Sequence, residues 1–177
     1  MSVVSNSGPL IHLAKIGLIH ILRELYGNIL ITLEVKVEVV DKGKERGYSD
    51  ALLIEKAIND GWIKVVRIEV PEKIYELAET AGLHKAEVEV IWLAYRRNII
   101  VLLDDSVARI FAKSMGVRVK GSLGVIVEAF RKNILTRKDA LNALDKISSI
   151  MYLSSDVYRI VRNSIEKYGY SNVTHPL

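Results

Sequence analysis

The sequence predicts an α/β fold, a three-layer α/β/α sandwich around a mainly parallel central sheet. Two observations lead there. Short apolar runs alternate with segments of helical period, which is the pattern of a parallel sheet covered by helices. Polar residues then interrupt or end those runs: Asn6 follows Ser2-Val3-Val4-Ser5, and Asp104-Asp105 end Ile99-Ile100-Val101-Leu102-Leu103. In an open α/β sheet the carboxyl ends of the strands are where ligands bind. A buried, unpaired charge is costly, so carboxylates there call for a cation, a partner or a proton.

The elements follow in order. Ser2 to Asn6 is the first strand, and Ser7-Gly8-Pro9 opens a helix, with proline in the first turn where its missing N–H does no harm. That helix ends near Gly17, a second runs from Leu18 to Tyr26, and Ile29-Leu30-Ile31 is a strand. Glu34 to Lys42 reads as a helix through the spacing of Val35 with Val39 and Glu34 with Glu38. Residues 42–47 read as a charged surface turn, and Ser49 as the cap of a helix reaching Asp60. Trp62 to Val70 is a strand stopped by Pro71. Helices to Gly82 and over His84 to Arg97 lead into the strand Ile99 to Leu103, then a helix over Asp105 to Met115 and a strand over Val117 to Lys120. Leu123 to Arg131, Arg137 to Ile147 and Asp156 to Tyr168 are helical.

At 177 residues the chain fits a single domain, 1–177, with its core in 2–130 and C-terminal helices over 132–170. No apolar run approaches the ~20 residues of a membrane span, and no signal-peptide pattern opens the sequence. The expected setting is cytoplasmic. There is no cysteine, which excludes thiolate metal sites, disulfides and cysteine nucleophiles. Any metal must sit on oxygen or imidazole. His12, His20, His84 and His175 show no ligand spacing and read as surface or packing residues. The net charge of +4 mildly favours a polyanionic partner.

The acidic residues carry the functional reading. At ~100° per residue, Glu87 shares an arc with Val90, Ile91, Ala94 and Tyr95, so it is expected to face inward. Glu89 falls with Arg96 on the other side and reads as solvated. Of Asp104 and Asp105, a helix cap explains one; two at a strand end admit a metal site equally well. Glu38 is either a functional carboxylate or an i, i+4 partner of Glu34 and Lys42. Asn6 is either part of the site or a turn residue before Pro9.

Taken together, five stretches resemble PIN-domain nucleases, closest to the VapC-like DUF3368 branch. They are Val3-Val4-Ser5-Asn6-Ser7-Gly8-Pro9-Leu10-Ile11, Ile31-Thr32-Leu33-Glu34-Val35-Lys36-Val37-Glu38-Val39, Glu87-Val88-Glu89-Val90-Ile91-Trp92-Leu93-Ala94, Leu102-Leu103-Asp104-Asp105-Ser106-Val107-Ala108-Arg109 and Gly121-Ser122-Leu123-Gly124. The resemblance covers roughly residues 2 to 130. It implies an α/β/α sandwich whose acids hold Mg²⁺ or Mn²⁺ and cleave RNA. Position by position, those acids fall at Asn6, Glu38, Glu87 and Asp105, with Asn6 replacing an aspartate and Ala86 standing where the branch often has glycine.

The resemblance implies Asp105, Glu87, Asp104 and Glu38 as metal ligands, with Asp104 a direct ligand or behind the others. Glu38 is a ligand or the base that orients water. Ser7 and Ser122 are expected to hydrogen-bond either the acids or the scissile phosphate, and with Arg109 and Lys113 they are the expected substrate contacts, with Arg118 and Lys120 nearby. It also implies a toxin of a type II toxin–antitoxin pair, with an antitoxin protein as partner and self-association as a homodimer, for which the stripe from Leu10 to Ile21 offers a face. A competing class is a PIN fold weakened by Asn6 into an RNA- or protein-binding module. A receiver-like signalling domain ranks last, because only Lys120 stands where its strand-end lysine must be.

Overall fold

The computed structural model describes residues 2–168; the expected helical extension to residue 170 and His175 lie outside them. Two compact units divide the chain, Met1–Ser122 and Leu123–Leu177.

The first unit contains a five-stranded, all-parallel sheet. Its strands are β1 (Ser2–Ser5), β2 (Asn28–Thr32), β3 (Ile63–Val66), β4 (Val101–Leu102) and β5 (Val119–Lys120), in the order β3-β2-β1-β4-β5. Val3, Val4 and Ser5, like Ile29 to Thr32, are buried in unbroken succession. Successive strand residues point to opposite faces, so both faces of the sheet are covered, which makes the unit an α/β/α sandwich. Helix α1 (Ser7–Lys15) contacts α5 (Ser49–Asn59), α2 (His20–Tyr26) packs on β2, and α7 (Lys85–Arg97) lies across β1, β2 and β4 beside α6 (Glu72–Thr80) and α8 (Ser106–Ser114). The stripe Leu10, Leu13, Ala14, Ile16, Ile19 and Ile21 is buried in this core. Its apolar spacing serves packing in this core.

Local chemistry shifts several boundaries. The helix expected over 34–42 starts at α3 (Leu33–Lys36), where Thr32 caps it by accepting from the Val35 N–H, widens into a π-helical turn over Val37–Asp41, and continues as α4 (Lys42–Glu45). Val35, Val39 and Val40 are all buried. A regular helix would turn Val40 away from the side holding Val35 and Val39, and the wider turn brings it in. The charged turn expected from residue 42 is therefore still helical, and its Gly43 is buried because α4 meets α5 there: a methyl on Gly43 would stand 2.8 Å from Ala51 Cβ. Ser49 does not cap α5; it is the first helical residue, and Tyr48 stands before it without a side-chain cap. Only Ile63–Val66 of the long strand expected over 62–70 joins the ladder. β4 and β5 are two residues each because neighbouring contacts, such as Val4 N–H to Ile100 O at 2.9 Å and Leu103 N–H to Lys120 O at 2.9 Å, are made outside the regular ladder.

The second unit holds α9 (Ser122–Arg131), which begins on the last residue of the first, α10 (Arg137–Ser148) and α11 (Ser155–Glu166). Thr136 and Ser154 cap α10 and α11 through their hydroxyls, and the two helices pack together.

The Gly43 contact gives a direct test. Gly43→Ala forces apart two helices whose Cβ atoms cannot separate by rotamer change, and should lower unfolding free energy by about 1–3 kcal/mol. Ala51→Gly in the same chain should restore part of that loss, measured as non-additivity in urea unfolding.

Candidate active site

All five strands are parallel, so their carboxyl ends share one edge. The chain lays β1, β2 and β3 in one direction, then returns to place β4 on the other side of β1. The crevice between β1 and β4 is the switch point at which open α/β sheets bind ligands. Ser5 pairs with Leu102 in the register, and the Asn6 N–H donates to the Leu102 carbonyl at 3.1 Å. Asn6 thus leaves β1 beside the place where Asp104 leaves β4.

Asp104 is the most heavily bonded side chain of this edge. Its Oδ2 accepts from His12 Nδ1 at 2.7 Å and from Ser122 Oγ at 2.6 Å, and its Oδ1 accepts from the Ser122 N–H at 2.7 Å. An ionised carboxylate can only accept, so His12 carries a proton on Nδ1. Burial alone pushes the Asp104 carboxyl up, but the hydrogen bonds from His12 and Ser122 outweigh it and hold the group below the usual aspartate range. Close backbone makes room for this. A methyl on Gly121 would lie 3.0 Å from Asp104 Oδ1 and 3.1 Å from Arg109 Nη1, and one on Gly8 would lie 3.5 Å from Asp104 Oδ2.

The other side of the crevice is less satisfied. Asn6 precedes α1 in extended conformation but does not cap it with its side chain, and its buried Oδ1 has no hydrogen-bond partner. The next residue, Ser7, donates its hydroxyl to Glu38 Oε2. Glu38 stands in the π-helical turn, a distortion that often marks functional sites.

Asp105 is exposed and caps α8, its Oδ1 accepting from the Ala108 N–H at 2.8 Å. Glu87 is half-buried and caps its own helix, its Oε2 accepting from the His84 N–H at 2.9 Å. Arg109 is half-buried beside Gly121, and Lys113 is exposed one turn further along α8. The structure therefore joins Ser7 to Glu38 and Asp104 to His12 and Ser122. Among the described residues, no three acidic or imidazole side chains stand close enough to share one ion.

Two placements favour one of two expected alternatives. Ser122, expected at an acid or at a phosphate, is fully buried with both its N–H and its hydroxyl on Asp104, so it braces that carboxylate. Asp104, expected among the metal ligands, already receives three protein hydrogen bonds on its two oxygens, which suits a supporting position better than direct coordination. The oxygens outside these bonds belong to Asn6, Glu38, Glu87 and Asp105. An all-oxygen set that includes a buried acceptor without a donor fits a hard divalent cation.

The helical-arc expectation fails for Glu89, which is 7% exposed. Glu89 does lie on the side of α7 that carries the exposed Lys85 and Arg96, but at its border with the buried Leu93, where Thr32 and Tyr75 from neighbouring elements cover it. Burial raises the Glu89 carboxyl above its usual range, against hydrogen bonds from Thr32 and Tyr75 and the attraction of Lys85, whose Nζ lies 3.8 Å away. The Tyr75 phenol is raised in turn, by its own burial and then by Glu89. His12 was missed because its partner is 92 positions away; its place one turn after Gly8, on the same face of α1, was the available signal.

The family model DUF3368, described as a PIN domain, matches residues 2–167. No curated protein and no solved structure matches the chain.

Asp104 supplies a pH-dependent prediction. Its folded pKa lies below the unfolded value near ~3.9, so its ionised form contributes stability that is complete above about pH 4 and is lost as pH falls through the folded value. Asp104→Asn should lower unfolding free energy at pH 7 by about 1–3 kcal/mol. The gap from wild type should shrink between pH 5 and pH 3 in urea titrations; a gap that stays constant would show that the carboxylate's charge contributes nothing.

Proposed function

The chain belongs to the DUF3368 family of PIN domains, a membership that supports a nuclease-type function, and on that premise we propose that it is a divalent-metal-dependent endoribonuclease working at the β1–β4 crevice. The observation that carries the reading is Asn6 Oδ1, a buried acceptor left without a donor at the switch point of the sheet. Leaving such an atom unsatisfied costs on the order of 1–3 kcal/mol, and a cation in the crevice removes that cost.

Mg²⁺ or Mn²⁺ would be held by oxygens drawn from Asn6, Glu38, Glu87 and Asp105, with the three acids, which stand too far apart here to share one ion, drawn together as it binds. When bound, the ion supplies positive charge beside the scissile phosphate and lowers the pKa of a water. The chain's own groups do the rest. Ser7 fixes the orientation of Glu38 through its hydroxyl, so that the carboxylate meets the attacking water as acceptor of its proton. Asp104, gripped by His12 and Ser122, holds the end of β4 and hence the start of α8, where Asp105 stands. Arg109 and Lys113 on α8 neutralise flanking phosphates, which makes binding weaken as salt rises.

A second reading has its own observation. Asn6 is neutral where the family carries an acid, and no three acids converge among the described residues; both favour a PIN fold that binds RNA or protein without cutting. A toxin role, an antitoxin partner, a homodimer and a cytoplasmic setting accompany the nuclease reading and rest on the family resemblance alone.

Purified protein incubated with a labelled structured RNA should cut it with Mg²⁺ or Mn²⁺ and not with EDTA. Asp105→Asn should reduce cutting at least ~100-fold, the scale of losing one charge-stabilising group. Asn6→Asp, which restores a charge, should lower the metal concentration needed for half-maximal rate. RNA binding without cutting in wild type and in Asn6→Asp alike selects the second reading.

A further inference from the structure

A groove of ≈ 1060 Å³ lies on the other side of α7 from Glu87. One wall is the segment 66–70 that follows β3, the other is α7, and Leu93 and the buried Glu89 lie between. Three features of it have no role in the site described above.

The first is a strand without a neighbour. Residues 66–70 carry the two-residue alternation of a strand, with Val66, Ile68 and Val70 half-buried and Arg67 and Glu69 exposed. Yet the ladder stops at Val66, which pairs with Thr32. None of the amides of residues 67–70 donates to another backbone group among the described residues. β3 is also the edge strand of the sheet, and an open edge is a template for a further strand.

The second is charge. Arg67, Arg96 and Arg97 line the groove, are exposed, and have no carboxylate partner among the described residues. Lys85 differs, being tied to Glu34 and close to Glu89. The third is the lining itself, in which Val66, Ile68, Val70 and Leu93 present aliphatic surface between the arginines.

We propose that this groove seats an extended peptide segment of a partner protein in which aliphatic residues alternate with Asp or Glu. The peptide adds alongside residues 66–70, its carbonyls meeting amides that donate to no other backbone group, as strand addition does elsewhere, while the Glu69 carbonyl stays with the Trp92 indole N–H at 3.1 Å. Its aliphatic side chains enter between Ile68 and Leu93, and its carboxylates meet Arg67, Arg96 and Arg97 in forked hydrogen bonds. A nucleic-acid strand fits less well, because a phosphodiester backbone carries no amides or carbonyls to pair with an extended segment such as 66–70. The proposal is independent of any chemistry at the β1–β4 crevice.

The test is to pan a display library of linear octapeptides against the full chain and to synthesise the enriched sequences with a fluorescent label. The expected result is a consensus of alternating aliphatic and acidic residues. The same peptides should bind Asp105→Asn as well as wild type and bind the Arg67→Glu, Arg96→Glu, Arg97→Glu variant at least ~10-fold more weakly, with that variant's melting transition unchanged. Peptide should also slow hydrogen exchange at the amides of residues 67–70. Absence of enrichment, a basic or uncharged consensus, or binding indifferent to the three arginines would overturn the proposal. So would a single-stranded oligouridylate that binds wild type, loses binding in the triple variant and displaces the peptides, since the groove would then be a nucleic-acid track.

Discussion

The three hydrogen-bond donors gathered at Asp104 hold the carboxyl edge of the sheet together. β4 is only two residues long, its end held by the Asn6 N–H on the Leu102 carbonyl and the Leu103 N–H on the Lys120 carbonyl. Asp104 adds side-chain ties, by accepting one hydrogen bond from His12 on α1 and two from Ser122 just past the strand beyond. Everything proposed for the crevice inherits its placement from this. Asn6 lies at the foot of α1, Asp105 is the next residue along, and Arg109 shares the space at Gly121. The geometry also explains why glycine stands at 121: a side chain there would press on the carboxylate and the guanidinium at once.

Much of this was legible in the sequence, and the legible part has a common cause. Runs such as Val101-Leu102-Leu103 ended by Asp104 advertise both a buried strand and its carboxyl end, because burial is written in composition. Glu87 and Asp105 were visible as acids at helix starts for the same reason. What escaped was decided by packing across the chain. Glu89 reads as solvated because its arc is that of the exposed Lys85 and Arg96, whereas Thr32 and Tyr75, from elements distant in sequence, cover it. The π-helical turn arises from three valines competing for the same interior, which no propensity rule anticipates. Residues 67–70 read as strand because their alternation is strand-like; the sequence could not reveal that their would-be neighbour is missing from the ladder.

Helix α7 connects the two regions that matter. Glu87 projects on one side of it, while Lys85, Glu89, Leu93 and Arg96 line the groove on the other. Its first turn is anchored through the Lys85–Glu34 pair to α3, on the same continuous helical segment that carries Glu38 in its π-helical turn. A shift of α7 therefore moves a candidate ligand on one side and an arginine wall on the other, which gives the two sites a mechanical connection through packed elements rather than through space.

The central pairing of β1 with β4 has a consequence for how the protein is made. Val4 meets Val101, so the crevice joins the start of the chain to a strand synthesised 97 residues later. Such distant contacts form slowly compared with local ones, and chains emerge from the ribosome N-terminus first. During most of translation β1 and β2 can pair while the edge that would hold Asp104 and Asp105 does not yet exist. A nascent chain that has not reached Val101 has no β4, and so lacks the strand that closes the β1–β4 crevice and the Asp104 that follows it.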